Sequence, residues 1–168
     1  MNIFLIDYSP VKCAQALDDL RLNKMIVETA QMLSTAARFH GVDYTCLYRS
    51  THVNHPWTIW VSENRSNYKF ALELLKAYIA ERTDCRVPFS GIHKTAEILP
   101  ELETAAFALP EGPLNSVFPK CFYPTVPREM PAFEGYRETL RIKWDNDLRK
   151  PQWKNRGCPG WYIPSCVE

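Results

Sequence analysis

The chain has 168 residues, 46% of them hydrophobic, and a formal net charge of +1. That length supports one good core, so a single domain over residues 1–168 is expected, and the total charge announces no polyanionic partner. No 18-residue apolar stretch is present, and Met1 to Asp7 is too short and lacks a basic start for a secretory signal, so neither a membrane span nor export is expected.

In chain order, Asn2 to Ile6 reads as a short extended segment leading to the first helix. Ser9 is suited to cap that helix and Pro10 to its first position, and the pattern predicts one helix over about 10–40. At ~100° per residue, Arg21, Lys24, Glu28, Gln31 and Thr35 fall within an arc of about 80°. Leu20 and Val27 flank that arc on one side, Met25 and Met32 on the other. A narrow charged stripe between apolar flanks encloses groups that are costly to bury unless paired or at work. Lys24 and Glu28, spaced i,i+4, could form a purely structural ion pair. Alternatively, the cations and the carboxylate bind an anion and shift one another's proton affinity.

His40-Gly41-Val42-Asp43 ends the first helix, and a loop leads to Thr51-His52-Val53-Asn54-His55-Pro56. Pro56 opens a second helix over about 56–82, with Trp57, Trp60, Val61, Tyr68, Leu72, Leu75 and Ile79 on its apolar side. Arg86 to Ser90 reads as a turn, and residues 90–99 as a shorter helix interrupted by Pro100. Six prolines between 110 and 131 exclude a helix there, leaving an irregular connection anchored by Phe118, Phe122 and Tyr123. A last helix is predicted over about 132–149, with an aromatic tail containing Trp153, Trp161 and Tyr162. No strongly alternating segment appears, so the fold class is mainly α.

A helix entrance offers free N–H groups to a phosphate or carboxylate, so His52, Asn54 and His55 are candidate binding residues. His93 and Lys94 stand similarly near the start of the third helix. No zinc-type ligand spacing links the histidines, and no metal is assigned. The six cysteines form no C-x-x-C pair and are expected to be reduced thiols of a cytosolic protein. Residues 137–156 set seven cations against three carboxylates. There Arg149, Lys150 and Trp153 could follow a nucleic-acid backbone and stack on a base, with Trp144 placed in the core.

The short N-terminal segment, the charged first helix, Asn54-His55-Pro56 and Arg149-Lys150-Pro151-Gln152-Trp153 together resemble the pyrimidine-dimer DNA glycosylases of the phage endonuclease V type. Small phage proteins with a Thr-His-x-Asn-His-Pro motif are more similar still. The resemblance implies a compact helical domain that needs no cofactor. It also implies a free N-terminal amine that attacks C1′ of a damaged nucleotide, and a helix-one carboxylate that assists before β-elimination cuts the strand. Two features depart from the family pattern. Residue two is Asn2, which usually leaves Met1 in place, and an adjacent Arg-Glu pair is replaced by Arg21-Leu22-Asn23-Lys24.

The leading expectation is therefore a phage-type, DNA-binding N-glycosylase/AP lyase acting on damaged or modified pyrimidines. Glu28 would be its carboxylate, the Met1 amine or a desolvated Lys24 its nucleophile, Arg21 and Lys24 its phosphate ligands, and Gln31 a further substrate ligand. Two alternatives stand beside it: a non-catalytic module binding nucleic acid or a nucleotide, and an enzyme modifying a base or nucleotide on the same fold.

Overall fold

The computed structural model describes residues 1–87 and 91–163. Six α-helices form the scaffold: α1 (Pro10–Ala16), α2 (Asp19–Phe39), α3 (Pro56–Glu63), α4 (Arg65–Ala80), α5 (Leu99–Ala105) and α6 (Ala132–Asn146). A π-helical turn (Glu81–Arg86) extends α4, and 3₁₀ turns (Lys94–Ile98 and Ala106–Ala108) flank α5. No strand occurs among the described residues, and the fold is all-α.

The helix predicted over 10–40 is two helices. Ser9 caps α1 and Pro10 opens it, but Leu17 and Asp18 are extended. The break is held from three sides. Arg86 donates to the carbonyls of Gln15 and Leu17, which α1 leaves unsatisfied at its end. The Asp18 carboxylate accepts from Arg21 and from the Trp144 indole, and the Asp19 amide donates to the Gln152 carbonyl. Tertiary partners thus supply what a continuous helix would have supplied internally. The helix predicted over 56–82 also divides. Asn64 adopts an extended conformation (φ −162°), and its side chain accepts from the Asn67 amide to cap α4.

Pro100 opens α5 instead of interrupting a helix, as suits a residue without an N–H in a first turn. The helix expected over 90–99 is a 3₁₀ turn capped by His93, and Ser90 lies outside the described residues. The C-terminal helix stops at Asn146, three residues earlier than expected.

The core lies where α2 packs along α3 and α4, with α1 against α4. Leu22, Ile26, Leu33 and Ala37 of α2 meet Ala71, Leu75 and Tyr78 of α4 in one buried cluster. Ile3, Phe4, Leu5 and Ile6 are all buried in it, so the N-terminal segment is extended chain threaded through the core. The proline-rich connection is fixed by Tyr136 of α6. Its hydroxyl donates to the Pro119 carbonyl and accepts from the Trp57 indole and the Cys121 amide. Gly135 leaves no room for a Cβ against the Phe122 ring, so the connection lies directly on α6. These two contacts place residues 121–124 opposite the middle of α2.

Candidate active-site cleft

The threaded segment carries Met1 to Glu28, at the middle of α2. The Met1 side chain is 2% exposed, yet its α-amino nitrogen stands 3.9 Å from Glu28 Oε2. The Asn2 amide donates to the same oxygen at 2.9 Å. Asn2 is itself clamped, its Nδ2 donating to the Cys121 carbonyl and its Oδ1 accepting from the Ile3 amide. An N-terminal residue would ordinarily fray. Here a buried side chain and a paired neighbour hold the amine beside a carboxylate.

These groups line a cleft of about 520 Å³. One wall is α2, with Leu20, Arg21, Lys24, Met25 and Glu28; the other comes from the proline-rich connection and α6, with Cys121, Phe122, Tyr123, Thr139, Lys143 and Asp147. Lys24 makes no ion pair with Glu28, whose Oε2 is engaged by the N-terminus and the Asn2 amide. Arg21 is buried and bonded to Asp18 at 3.1 Å and to Asp147 at 2.7 Å, so its charge is matched within the wall. Lys143 rests its ammonium 5.5 Å from the centroid of the Tyr123 ring.

His55 does not line the cleft. Its Nδ1 accepts from the Trp57 amide and so caps α3, close enough to the α-amino group, His52, the Met1 backbone and Glu28 for each to act on its charge. Burial, and then the neighbouring N-terminal charge, push its pKa below the usual histidine value. Burial also raises the Cys121 thiol.

The other sequence candidates are spread more widely. His52 is exposed, has φ +50°, and pairs its Nδ1 with the Thr51 hydroxyl. Asn54 is exposed at the same entrance. Gln31 is half-buried and lines neither the cleft nor the neighbouring apolar groove, where Thr35 sits with Arg38, Phe39, Val53 and Ile59. His93 caps its 3₁₀ turn through the Thr95 amide, next to Arg82, and Lys94 is exposed beside it; neither lines the cleft. Arg149 and Lys150 border a separate depression with Asp18, Asp19, Asn23 and Lys154, which shares only Leu20 with the cleft lining.

Two expectations need correction. Trp153 is no open stacking platform, because its indole donates to the Ala16 carbonyl and its ring packs on Trp144 and Tyr162. Lys24 is exposed, so the desolvation needed to make it a nucleophile is missing.

Sequence reasoning missed the whole second wall as a site. Phe122 and Tyr123 were legible as anchors and Lys143 as part of a basic segment, but no local spacing linked them to Glu28. Among the described residues, no group of three or more His, Cys, Asp or Glu side chains gathers as a metal site. No helix among them is long and apolar enough to cross a membrane.

Comparison with curated proteins and with solved structures gave no match. A family model described as pyrimidine dimer DNA glycosylase matches residues 1–84. That span is half of the chain and contains Met1, Arg21, Lys24, Glu28 and His55, while the second wall lies outside it. The chain belongs to the pyrimidine dimer DNA glycosylase family.

Proposed function

We propose that this protein is a DNA N-glycosylase and AP lyase acting on damaged or modified pyrimidines, with the Met1 α-amine as nucleophile and Glu28 as its acid/base. The observation that carries this reading is the amine held 3.9 Å from a carboxylate at the floor of a cleft that also presents lysines. An ammonium has no lone pair, so attack first requires that a proton leave the amine, and Glu28 is within reach to take it. The nitrogen then bonds to C1′ as the C1′–N glycosidic bond breaks, and the departing base takes the proton that Glu28 had accepted. An amine proton passes to O4′ as the sugar ring opens, which leaves an iminium at C1′, so the C2′ proton becomes acidic. Its removal by the carboxylate expels the 3′ phosphate, and the strand is cut. This route uses side chains and the chain terminus alone. Arg21, paired with Asp18 and Asp147, stiffens the wall.

A second reading has its own support. The Asn2 amide, 2.9 Å from Glu28, is closer to the carboxylate than the amine is, which suits a module that binds nucleic acid or a nucleotide without turnover. Duplexes carrying an abasic site or UV photoproducts separate the two. The lyase reading expects strand cleavage that Glu28→Gln abolishes, whereas salt-sensitive binding with intact strands would establish the binding module in its place.

A further inference from the structure

Both walls of the cleft carry a lysine followed four residues later by a carboxylate: Lys24 and Glu28 on α2, Lys143 and Asp147 at the end of α6. At that spacing each pair would normally close on itself. Neither does. Glu28 is taken by the N-terminus and Asp147 by Arg21 at 2.7 Å, and neither lysine has a carboxylate partner among the described residues. By contrast, Arg141 of α6 is matched by Glu138, and Arg156 of the tail by Glu81. Lys24 and Lys143, which both line the cleft, are thus left without a carboxylate although each has one four residues on. Lys143 is also steered, since the Tyr123 ring beneath its ammonium holds the charge over the opening without neutralising it.

We propose that Lys24 and Lys143 clamp the two phosphates flanking the reacting sugar, one from each wall, and that Lys143 is the positioning residue that sets the sugar over Met1 and Glu28. The proposal rests on the lyase reading for which sugar is held, and it extends the site to a wall outside the family match. A strand crossing the cleft meets a cation on entering and another on leaving, with the amine and carboxylate between them. The diverted carboxylates keep both cations available, because a closed Lys143–Asp147 pair would oppose a phosphate.

The test uses a duplex carrying a tetrahydrofuran abasic analogue, which the protein can bind but not cleave, across a salt series. Lys143→Ala should lower affinity about ten-fold at low salt and reduce the slope of log K against log salt by about one, the loss of one phosphate contact. Lys143→Arg should restore both. Tyr123→Leu should keep the slope and lose only about three-fold in affinity, since the charge remains but its steering is gone. Lys76→Ala, which removes a lysine already paired with Glu73 and Glu103, should change neither. If Lys143→Ala keeps the wild-type slope and affinity, the clamp is overturned, whatever the wild type does to cleavable DNA. If the wild type leaves a true abasic strand intact while the Lys143 slope change persists, the lyase reading falls and the clamp stands.

Discussion

Two regions of this molecule concentrate charge, and they do so to opposite ends. Around Arg86 the charges close on one another. Arg86 is bonded to Glu81 at 2.7 Å and Asp19 at 2.8 Å, Glu81 also receives Arg156 at 2.6 Å, and the remaining Arg86 nitrogen satisfies the end of α1. In the cleft the pairing leaves two lysines over. Glu28 serves the chain terminus, Arg21 absorbs Asp147, and Lys24 and Lys143 face the opening. A saturated network fastens elements together; an unsaturated one has capacity left for a ligand. Buried charge alone therefore does not mark a functional site.

The largest expected effect lies in the saturated region. Arg86→Ala takes the buried partner from Glu81, leaving it only Arg156, strips Asp19 of its cation and reopens the α1 terminus, at a cost of about 3–5 kcal/mol, or roughly 10 °C or more in melting temperature for a domain of this size. DNA binding and turnover per folded molecule should be unchanged. Loss of activity in the molecules that remain folded would break the distinction between the two regions. Glu28→Gln should do the reverse. A melt within a degree or two of wild type should accompany a turnover loss of about two to four orders of magnitude. A large drop in melting temperature without loss of turnover would return Glu28 to the structural class.

Gly135→Ala sharpens the comparison at the second wall. The added methyl meets the Phe122 ring, and overpacking of this kind costs about 1–3 kcal/mol. Because Phe122 lines the cleft, affinity for the abasic-analogue duplex should fall as well, and a stable variant with unchanged affinity would show that this wall does not take part.

The smallest effect concerns pH. The folded state holds the His55 pKa below its ordinary value, so the unfolded chain binds that proton more readily. Stability is therefore undiminished by His55 above about pH 6.5 and falls as pH drops through that value, levelling off below the depressed folded value. His55→Asn keeps a good cap for α3 and removes the titration. Between pH 7.5 and 5.5 its melting temperature should decline less than that of wild type. His93, lowered by burial and by Arg82, keeps part of the slope in both proteins. Parallel curves would contradict the assignment.

The helical class, the Ser9–Pro10 start and the apolar face of α4 were readable because they depend on local spacing. The break at Asp18 was not, since Arg86, Trp144 and Gln152 come from far along the chain to satisfy it, and at Asn64 the distant Pro110 carbonyl takes the Arg65 amide. On α2 the stripe identified Glu28, but its partner could not be read from helical period. Lys24 was the local candidate, and the Met1 amine won because buried Ile3 to Ile6 deliver it there. Trp153 reads in sequence as a stacking residue, yet the Ala16 carbonyl and the Trp144 ring claim it. The second wall was hidden for the same reason, because Tyr136 places it through contacts that no local motif announces.

The claim that chemistry resides in the paired terminus and carboxylate is tested most directly by borohydride trapping on abasic DNA, followed by mass mapping of the adduct. The account predicts a covalent sugar adduct on the peptide beginning at Met1, attached through the α-amine, and its near-complete loss in Glu28→Gln. An adduct on the Lys24 side chain, or no adduct under conditions where the duplex is bound, would contradict it.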